Sequence, residues 1–333
     1  MLAQFAFVLP RTMAHAGQLD SGFAANGKAW VHFEDSTSSL TTGLTLDHAG
    51  RILVAARIET AHGSRFGLAR LNHDGLTDPD FGTRGCVIGA FENGFDATAG
   101  KVIELPDGNI LLSGLHYENN DHTFPALALF DQQGRCLALQ ADGHIVVGGA
   151  IDLPQHGLIA RYDSSGKLDD SFGENGFLSI LAQGHSVMVS QIVPDTNGDL
   201  QVFGSSSDPM HSLSLKVRPD GKPDRHCNQG QCQLMAIGSN ASQWTAARLQ
   251  SDGKLLTAGA TIGGIEADFV LARHLPDASL DPDFVQGKGW VRTRLGYSLD
   301  TATTLAVQAN GRILVGGYSL LGLYRAVIAR YWA

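Results

Sequence analysis

Residues 308–315 read Gln308-Ala-Asn-Gly311-Arg-Ile-Leu-Val315, in which an Asn-Gly turn leads into an apolar run. Asn-Gly and Asp-Gly pairs accept the positive φ of a tight hairpin turn, so this segment predicts two paired β-strands. A turn that ends in glycine between two apolar runs occurs six times in the chain. The turn glycines are Gly50, Gly108, Gly143, Gly198, Gly253 and Gly311, at intervals of 58, 35, 55, 55 and 58 residues. One unit is therefore repeated along the chain.

Two further strands follow most of these hairpins. A third apolar run carries Ala-Arg, as in Leu68-Ala-Arg70-Leu and Ile159-Ala-Arg161-Tyr. A connector of the form Asp-x-x-Phe-Gly-x-x-Gly then leads to a fourth run, such as Gly176-Phe-Leu-Ser-Ile180. Four antiparallel strands repeated radially build the blades of a β-propeller. The sequence predicts an all-β, six-bladed β-propeller, with the strands of each blade named a to d from the channel outward.

A cation in the third strand is followed eight residues later by an aspartate. These predicted structural ion pairs are Arg70 with Asp78, Arg161 with Asp169, Lys216 with Asp224, and Arg273 with Asp281. Arg330 has no such partner downstream, because the chain stops at Ala333. The connector and fourth strand of that last unit are found instead at the start, where Asp20 precedes Phe23. We therefore expect the N-terminal strand to complete the last blade and to close the ring, in one domain of residues 19–333 after an extension of residues 1–18.

The second unit is shorter than the others. Its interval is 35 residues, and Leu129 stands where the arginine is expected. The connector and fourth strand are missing between Phe130 and Cys136, so we predict a truncated second blade. Either this part is deleted, or it is absent from the sequence because it is disordered, and the residues leave both interpretations open.

The three motifs together resemble one known family. Leu-Asp-x-x-Phe-Gly-x-x-Gly, Gln-x-Asp-Gly-x-Ile-Leu-Val-x-Gly and Ala-Arg-Tyr recur in order over residues 19–333, and this pattern is similar to the bacterial delta-60 repeat family. The resemblance implies a β-propeller domain of unknown function and brings no catalytic residues with it. The chain departs from the pattern in the truncated second blade and in the fourth blade, where Lys216 replaces the arginine and Cys227 replaces the phenylalanine.

Composition limits the partners. The 333 residues carry a formal net charge of −9, which argues against nucleic acid or an anionic membrane surface as the main partner. No apolar run approaches the length of a membrane span. The N-terminal apolar stretch lacks a basic region and is interrupted by Pro10-Arg11, unlike a signal peptide. We expect a monomer in the cytoplasm, with export left open.

Ligands of propellers commonly bind on one face of the disc, and here the b–c and d–a loops share a face. Four successive blades place histidines in these loops, together with acidic side chains. The candidate residues of this ligand-binding face are His62, Glu92, Asp96, His116, Glu118, Asp121, His122, His156, His185 and His211. Histidines at equivalent places of a ring could converge on a metal or a phosphate, or they could be solvated around a wide rim. No His-x-His or His-x-x-x-His spacing supports coordination, so we predict no metal and no cofactor.

Two functional classes remain open. The first is a non-catalytic module that binds a protein or a glycan across the b–c and d–a face. The alternative is a hydrolase or lyase with a site at the channel mouth formed by these loops. A histidine and two carboxylates close together in a concave pocket would favour this alternative.

Cys227 and Cys232 are spaced for a small loop disulfide in an exported protein, whereas a zinc site that uses them with His226 lacks a fourth ligand.

Overall fold

The computed structural model describes a chain that is almost entirely β-structure. The described residues are 15–91, 96–119, 122–130, 136–137, 145–151, 156–162, 168–182, 184–194, 198–207, 210–296 and 299–333. Within these ranges the one helical element is a 3-10 turn at Asn228–Gly230. A helix long and apolar enough for a membrane span is not found in this part of the chain.

The strands alternate with short turns at the intervals that the turn glycines predict. In chain order they are β1 (Lys28–Val31), β2 (Ser36–Leu46), β3 (Ile52–Thr60), β4 (Gly63–Leu71), β5 (Cys86–Gly89), β6 (Asp96–Glu104), β7 (Ile110–Asn119), β8 (His122–Phe130), β9 (Cys136–Leu137), β10 (Ile145–Ile151), β11 (His156–Tyr162), β12 (Phe177–Ile180), β13 (Val187–Pro194), β14 (Leu200–Ser206), β15 (Ser212–Val217), β16 (Gln233–Met235), β17 (Ala241–Leu249), β18 (Leu255–Gly263), β19 (Glu266–His274), β20 (Trp290–Thr293), β21 (Asp300–Val307), β22 (Ile313–Leu321) and β23 (Leu323–Tyr331).

These strands form six antiparallel sheets. Sheet I is β2-β3-β4-β5, sheet II is β6-β7-β8-β9, sheet III is β10-β11-β12, sheet IV is β13-β14-β15-β16, sheet V is β17-β18-β19-β20, and sheet VI is β21-β22-β23-β1. Each of sheets I, II, IV, V and VI has its first strand packed against the preceding sheet: β2 contacts sheet VI, β6 sheet I, β13 sheet III, β17 sheet IV, and β21 sheet V. Sheets III, IV, V, VI, I and II therefore lie side by side in that order.

The core is divided among the spaces between neighbouring sheets. Five apolar clusters of buried side chains lie between sheets VI and I, V and VI, I and II, III and IV, and IV and V. The connector phenylalanines Phe81, Phe172, Phe284 and Phe23 are fully buried. Alternating apolar residues explain this layout, because sheets I, IV, V and VI each pack both faces against a neighbouring sheet.

One polar unit recurs where the third strand meets the connector. In sheet I, Arg70 Nε donates to Asp78 Oδ2 at 2.7 Å, and the guanidinium carbon lies 4.7 Å from the centre of the Phe81 ring. Asp78 Oδ1 accepts from the backbone N–H of Asp80 at 3.1 Å, which fixes the turn. The corresponding nitrogen-to-oxygen distances are 2.6 Å for Arg161 and Asp169, 2.7 Å for Arg273 and Asp281, and 3.9 Å for Lys216 and Asp224.

The chain ends share sheet VI. Strand β1 pairs with β23 in the register Lys28 with Ala329. Asp20 Oδ2 accepts from Arg330 Nη2 at 2.8 Å, and the Arg330 guanidinium carbon lies 4.6 Å from the centre of the Phe23 ring. Sheets I, III, IV and V each build this unit from one continuous segment, with lysine in place of arginine in sheet IV, whereas sheet VI builds it from two distant segments.

Residues 16–18 and residues 332–333 also meet in a turn. Sheet I forms the corresponding turn from the continuous residues 72–76. Gly17 N donates to Trp332 O at 2.8 Å, and Trp332 N donates to Gln18 O at 2.9 Å. In sheet I, Gly75 N donates to Asn72 O and Asn72 N donates to Leu76 O, at 2.9 and 2.7 Å. Gly17 and Gly75 both have φ near +80° to +90°, which favours glycine. Ala333 and Ala16 thus occupy the two central positions of a four-residue turn.

This arrangement predicts that the chain tolerates a direct join. We expect a circular permutant that begins at Ile265, runs to Ala333, continues at Ala16 and ends at Gly264 to fold with a free energy of unfolding within about 2 kcal/mol of the original. Urea denaturation followed by tryptophan fluorescence measures this. The matched control has the same new ends and a ten-residue Gly-Ser linker at the join. If only the linker form folds, Ala333 and Ala16 are not neighbours in a tight turn.

Among the described residues sheet III is the one with three strands, so the prediction that the second blade is truncated is corrected. Sheet II has four strands, because Cys136–Leu137 pairs with β8 in the register Phe130 with Cys136. Sheet III has three strands among the described residues and begins with β10, the strand after the turn glycine Gly143. Only five residues separate Phe130 from Cys136, so the chain returns directly along β8 instead of crossing to the next sheet.

The inner strands share a feature that the motifs did not reveal. Strands β2, β6, β13, β17 and β21 each contain a β-bulge. Thr42, Ser190, Thr245 and Thr303 lie at these bulges, each eight residues before a turn glycine. Thr245 Oγ1 donates to Ala302 O of sheet VI at 2.6 Å, and Thr303 Oγ1 donates to Thr41 O of sheet I. The hydroxyls of Thr245 and Thr303 therefore join sheet V to sheet VI and sheet VI to sheet I.

Candidate functional site

The predicted ligand-binding face has its histidines on different sheets. His62 lies exposed in the turn between β3 and β4, and His116 lies within β7. His156 begins β11 of sheet III, and His211 and His185 precede β15 and β13 of sheet IV. These histidines are therefore divided among sheets I, II, III and IV, and sheet IV contributes two of them.

The acidic candidates on this face are engaged locally where the structure describes them. Asp96 Oδ1 accepts from the backbone N–H of Ser64 at 3.1 Å and lies 3.4 Å from Arg65 Nη1. Glu92 and Asp121 lie outside the described residues, and Glu118 and His122 are placed only as parts of β7 and β8. Within the described residues, no three His, Cys, Asp or Glu side chains form a group that could hold a metal ion.

The channel side is occupied by groups that connect the sheets. Lys101 Nζ of β6 donates to Gln191 Oε1 of β13 at 3.4 Å, so sheets II and IV face each other. Burial lowers the pKa of Lys101. The bulge hydroxyls of Thr245 and Thr303 donate to backbone carbonyls, as described above. These groups therefore have structural partners.

Cys227 and Cys232 are free thiols in this structure, so the loop disulfide that the spacing allows is not formed. Cys227 Sγ lies 3.9 Å from Asp224 Oδ2, whereas Cys232 Sγ is buried and lies 3.7 Å from Leu181 O. The two sulfur atoms have different partners. Burial raises the pKa of Cys232 to about 11, so this thiol stays protonated.

A concave site lies on the outer rim between sheets VI and I. A cavity of about 600 Å³ opens where β1 leaves sheet VI beside β5, the outer strand of sheet I. We call it the rim groove. Its lining residues are His32, Glu34 and Asp35 after β1, Asp80, Gly82, Thr83 and Arg84 of the connector, and Cys86, Val87 and Ile88 of β5.

The rim groove is acidic with one internal ion pair. Arg84 Nη1 contacts Glu34 Oε1, which leaves the carboxylates of Asp35 and Asp80 without a cation within the lining. Cys86 Sγ donates to His32 O at 3.5 Å and so links the two sheets. Burial, together with the charge of Glu34, raises the pKa of Cys86 to about 11. At neutral pH this thiol is a donor and not a thiolate nucleophile.

Sequence reasoning missed the rim groove because its two walls are far apart in the chain. Residues 32–35 and 80–88 meet only because β1 belongs to the last sheet. A related cavity of about 400 Å³ lies between sheets IV and V, where Asn240 faces Lys288 and Trp290. Two concave places of this fold thus lie between neighbouring outer strands, and their linings differ.

Comparison with known proteins agrees with the repeat. Four segments, residues 50–81, 140–172, 250–284 and 308–333, match the family model for "Domain of unknown function (DUF5122) beta-propeller". The chain contains a β-propeller domain of unknown function. Three of the segments run from the first turn to the connector phenylalanine, so each match includes a hairpin and an Arg-Asp-Phe unit. No curated protein shows a significant match to this β-propeller.

Solved structures with a similar fold include proteins of different kinds. A protein of unknown function from Dyadobacter fermentans DSM 18053 has a TM-score of 0.64 at 10% identity, over 92% of this chain and 98% of that one. The Hadza microbial sialidase Hz136 has a TM-score of 0.50 at 12% identity, over 89% of this chain and 66% of that one. At such identities the likeness to this β-propeller shows the fold alone.

Proposed function

We propose that residues 19–333 form a closed, six-bladed propeller of the delta-60 type that binds an extended peptide segment of a partner protein in the rim groove, without catalysis. The observation that carries this proposal is the position of the groove. It runs along β5, which pairs with β4 on one side. On the other side Cys86 N and O bond with Thr83, and the edge beyond Cys86 has no strand partner among the described residues. The outward N–H and C=O groups of such an edge strand accept an added strand.

The side chains of the rim groove favour a basic segment. Three carboxylates line it against one guanidinium, and Arg84 already contacts Glu34. Asp35 and Asp80 are therefore available to a lysine or arginine of the peptide. Ile88 is 38% exposed, so apolar surface lies beside the charges. A peptide with alternating basic and apolar residues matches this lining, since successive side chains of a strand point to opposite faces.

The groups in the rim groove suit binding better than catalysis. The Cys86 thiol is held protonated, and the Glu34 carboxylate is held by Arg84. A cysteine nucleophile needs a lowered pKa or an adjacent base, and the pKa of Cys86 is raised instead. The lining therefore supports the interaction module over the hydrolase or lyase.

Selection from a displayed library of random dodecapeptides tests this proposal. We expect selected peptides to be rich in lysine and arginine, and their dissociation constants, measured by fluorescence anisotropy, to rise about tenfold on Asp80→Asn. Asp283→Asn is the matched control, because Asp283 has the same place in the connector of sheet V: its backbone N–H donates to Asp281 Oδ1, as that of Asp80 donates to Asp78 Oδ1.

Methylation of the peptide backbone distinguishes strand addition from simple charge attraction. We expect N-methyl groups on one set of alternate amides to abolish binding, and those on the other set to leave it nearly unchanged, because a strand presents every second N–H to its neighbour. Binding that is equal for Asp80→Asn and Asp283→Asn, or insensitive to N-methylation, would contradict the proposal. Binding of neutral glycans, without binding of any peptide from the library, would contradict the proposal as well.

A further inference from the structure

We infer that the connector of sheet IV holds a second binding site, which takes a phosphorylated or sulfated sugar. The connector lies between β15 and β16, at the end of the strands opposite to the b–c loops. It encloses a cavity of about 580 Å³, within the range of roughly 300–1,000 Å³ in which small molecules bind. The charged residues in its lining are Arg218, Lys222, Asp224, Arg225 and His226. We call it the cationic cavity.

The cationic cavity reverses the charge that the repeat has elsewhere. In sheets I and V the connector begins Asp-Pro-Asp, at residues 78–80 and 281–283, and in sheet III it begins Asp-Asp-Ser at 169–171. In sheet IV the same three places hold Asp224, Arg225 and His226. The backbone is unchanged, since the N–H of His226 donates to Asp224 Oδ1 at 3.0 Å, as the third residue does in the other connectors. The same turn forms with other side chains at these places, so it does not require Arg225 or His226.

The cations of this cavity are available to a ligand. Asp224 is buried, and its Oδ2 lies 3.9 Å from Lys216 Nζ, so its carboxylate interacts with a cation of its own sheet. Arg218 Nη2 contacts Asp220 Oδ2 at 3.0 Å. Within the described residues Lys222 and Arg225 are exposed and have no carboxylate within 4.0 Å. Two unpaired cations thus stand at the mouth of one cavity in a protein with a net charge of −9.

The chemistry of the lining selects the class of ligand. A guanidinium and an ammonium at one mouth bind the oxygens of a phosphoryl or sulfuryl group through charge-assisted hydrogen bonds. A free phosphate ion would fill only a small part of the cavity. Gln229 and Gln231 supply amide donors and acceptors, which suit sugar hydroxyls. The lining contains no Phe, Tyr or Trp ring on which a nucleobase would stack, and its one aromatic group is the exposed imidazole of His226, so a sugar ester fits better than a nucleotide.

Isothermal titration with glucose 6-phosphate, glucose 6-sulfate, inorganic phosphate and glucose tests the inference. We expect saturable binding of at least one of the two sugar esters, weaker binding of inorganic phosphate and none of glucose. Arg225→Gln should weaken the sugar ester about tenfold, and the double variant with Lys222→Gln should weaken it further. Lys288→Gln is the matched control, since it removes one exposed connector cation outside this cavity and should leave binding unchanged.

The outcomes separate the site from general electrostatic attraction. Loss of binding in Arg225→Gln with none in Lys288→Gln supports the site, and the preferred ester shows whether phosphate or sulfate is its ligand group. Equal loss in both variants, or no binding of either ester, overturns the inference. Lys222 and Arg225 are exposed, so thermal unfolding of the variants should match the wild type and exclude misfolding as the cause. The rim groove is not involved, so its peptide binding is an independent measurement.

Discussion

We expect the substitution Asp20→Asn to lower the free energy of unfolding by about 3–5 kcal/mol. The Asp20 carboxylate is buried and accepts from Arg330 Nη2 at 2.8 Å and from Arg312 Nε at 3.0 Å. An asparagine keeps the shape and removes the charge, which leaves the buried guanidinium of Arg330 without a counter-ion. Removal of one partner from a buried ion pair is costly even where the intact pair adds little net stability.

Urea denaturation at pH 7, followed by tryptophan fluorescence, measures this loss. Asp78→Asn makes the same change within sheet I and should destabilise by a similar amount. Asp283→Asn removes an exposed connector carboxylate and should change the free energy by no more than about 0.5 kcal/mol. If Asp20→Asn behaves like Asp283→Asn, the ion pair between the two chain ends does not hold sheet VI together.

The second large effect is a loss of stability in mild acid that depends on His274. This side chain is 1% exposed and is packed between Trp244 and Phe203. Its Nδ1 lies 3.1 Å from Ala278 O, which can only accept, so Nδ1 carries the proton. Its Nε2 then accepts from Thr257 Oγ1 at 2.9 Å. The neutral ring is fully bonded, and burial lowers its pKa to about 4.

The direction of the pH effect follows from where the proton binds. The unfolded chain binds a proton at His274 near pH 6.5, whereas the folded chain does so only near pH 4. Stability is therefore complete above pH 6.5 and falls as the pH is lowered through this window, by about 2 kcal/mol between pH 7 and 5. Free energies of unfolding from urea titrations at pH 7, 6 and 5 give the slope.

Two variants assign this slope to one residue. His274→Gln should remove most of it, whatever the variant's own stability, because no titrating group remains at this place. His62→Gln replaces an exposed histidine and should leave the slope as in the wild type. An unchanged slope in His274→Gln would show that acid destabilises the protein through other groups. Below pH 4 the carboxylates add a separate loss: the pKa of Asp281 is lowered, since the cations Lys254 and Arg273 and the N–H of Asp283 outweigh burial.

The sequence predicts the strands well because local chemistry determines them. Asn-Gly or Asp-Gly turns such as Asn310-Gly311 fix the hairpins, and the spacing of eight residues from Arg70 to Asp78 fixes where the connector turns back. The pairing of Lys28 with Ala329 follows from the same logic, since an arginine at 330 needs an aspartate and Asp20 follows the pattern. The bulge hydroxyls could also have been found, because Thr245 and Thr303 share an offset from the turn glycine.

The concave sites were not found because they depend on neighbours that are distant in sequence. Glu34 and Arg84 meet only when sheets VI and I are adjacent, and no spacing within one repeat shows this. The histidines attracted attention by recurring, yet recurrence at one place in each sheet spreads side chains around a ring. Arg225 and His226 did carry a signal. They break the acidic pattern of the connector, which a comparison of charges between repeats would reveal.

The pairing of β1 with β23 also determines when this protein can finish folding. The two strands are separated by nearly the whole chain, so the entropy of closing that loop must be overcome before sheet VI has its fourth strand. During synthesis, β1 leaves the ribosome first and β23 last. Until β23 has emerged, Lys28–Val31 lacks its partner strand and Phe23 lacks the Arg330 guanidinium that covers its ring. A nascent chain therefore carries an exposed strand edge and an apolar segment up to that point, which favours aggregation before sheet VI is complete.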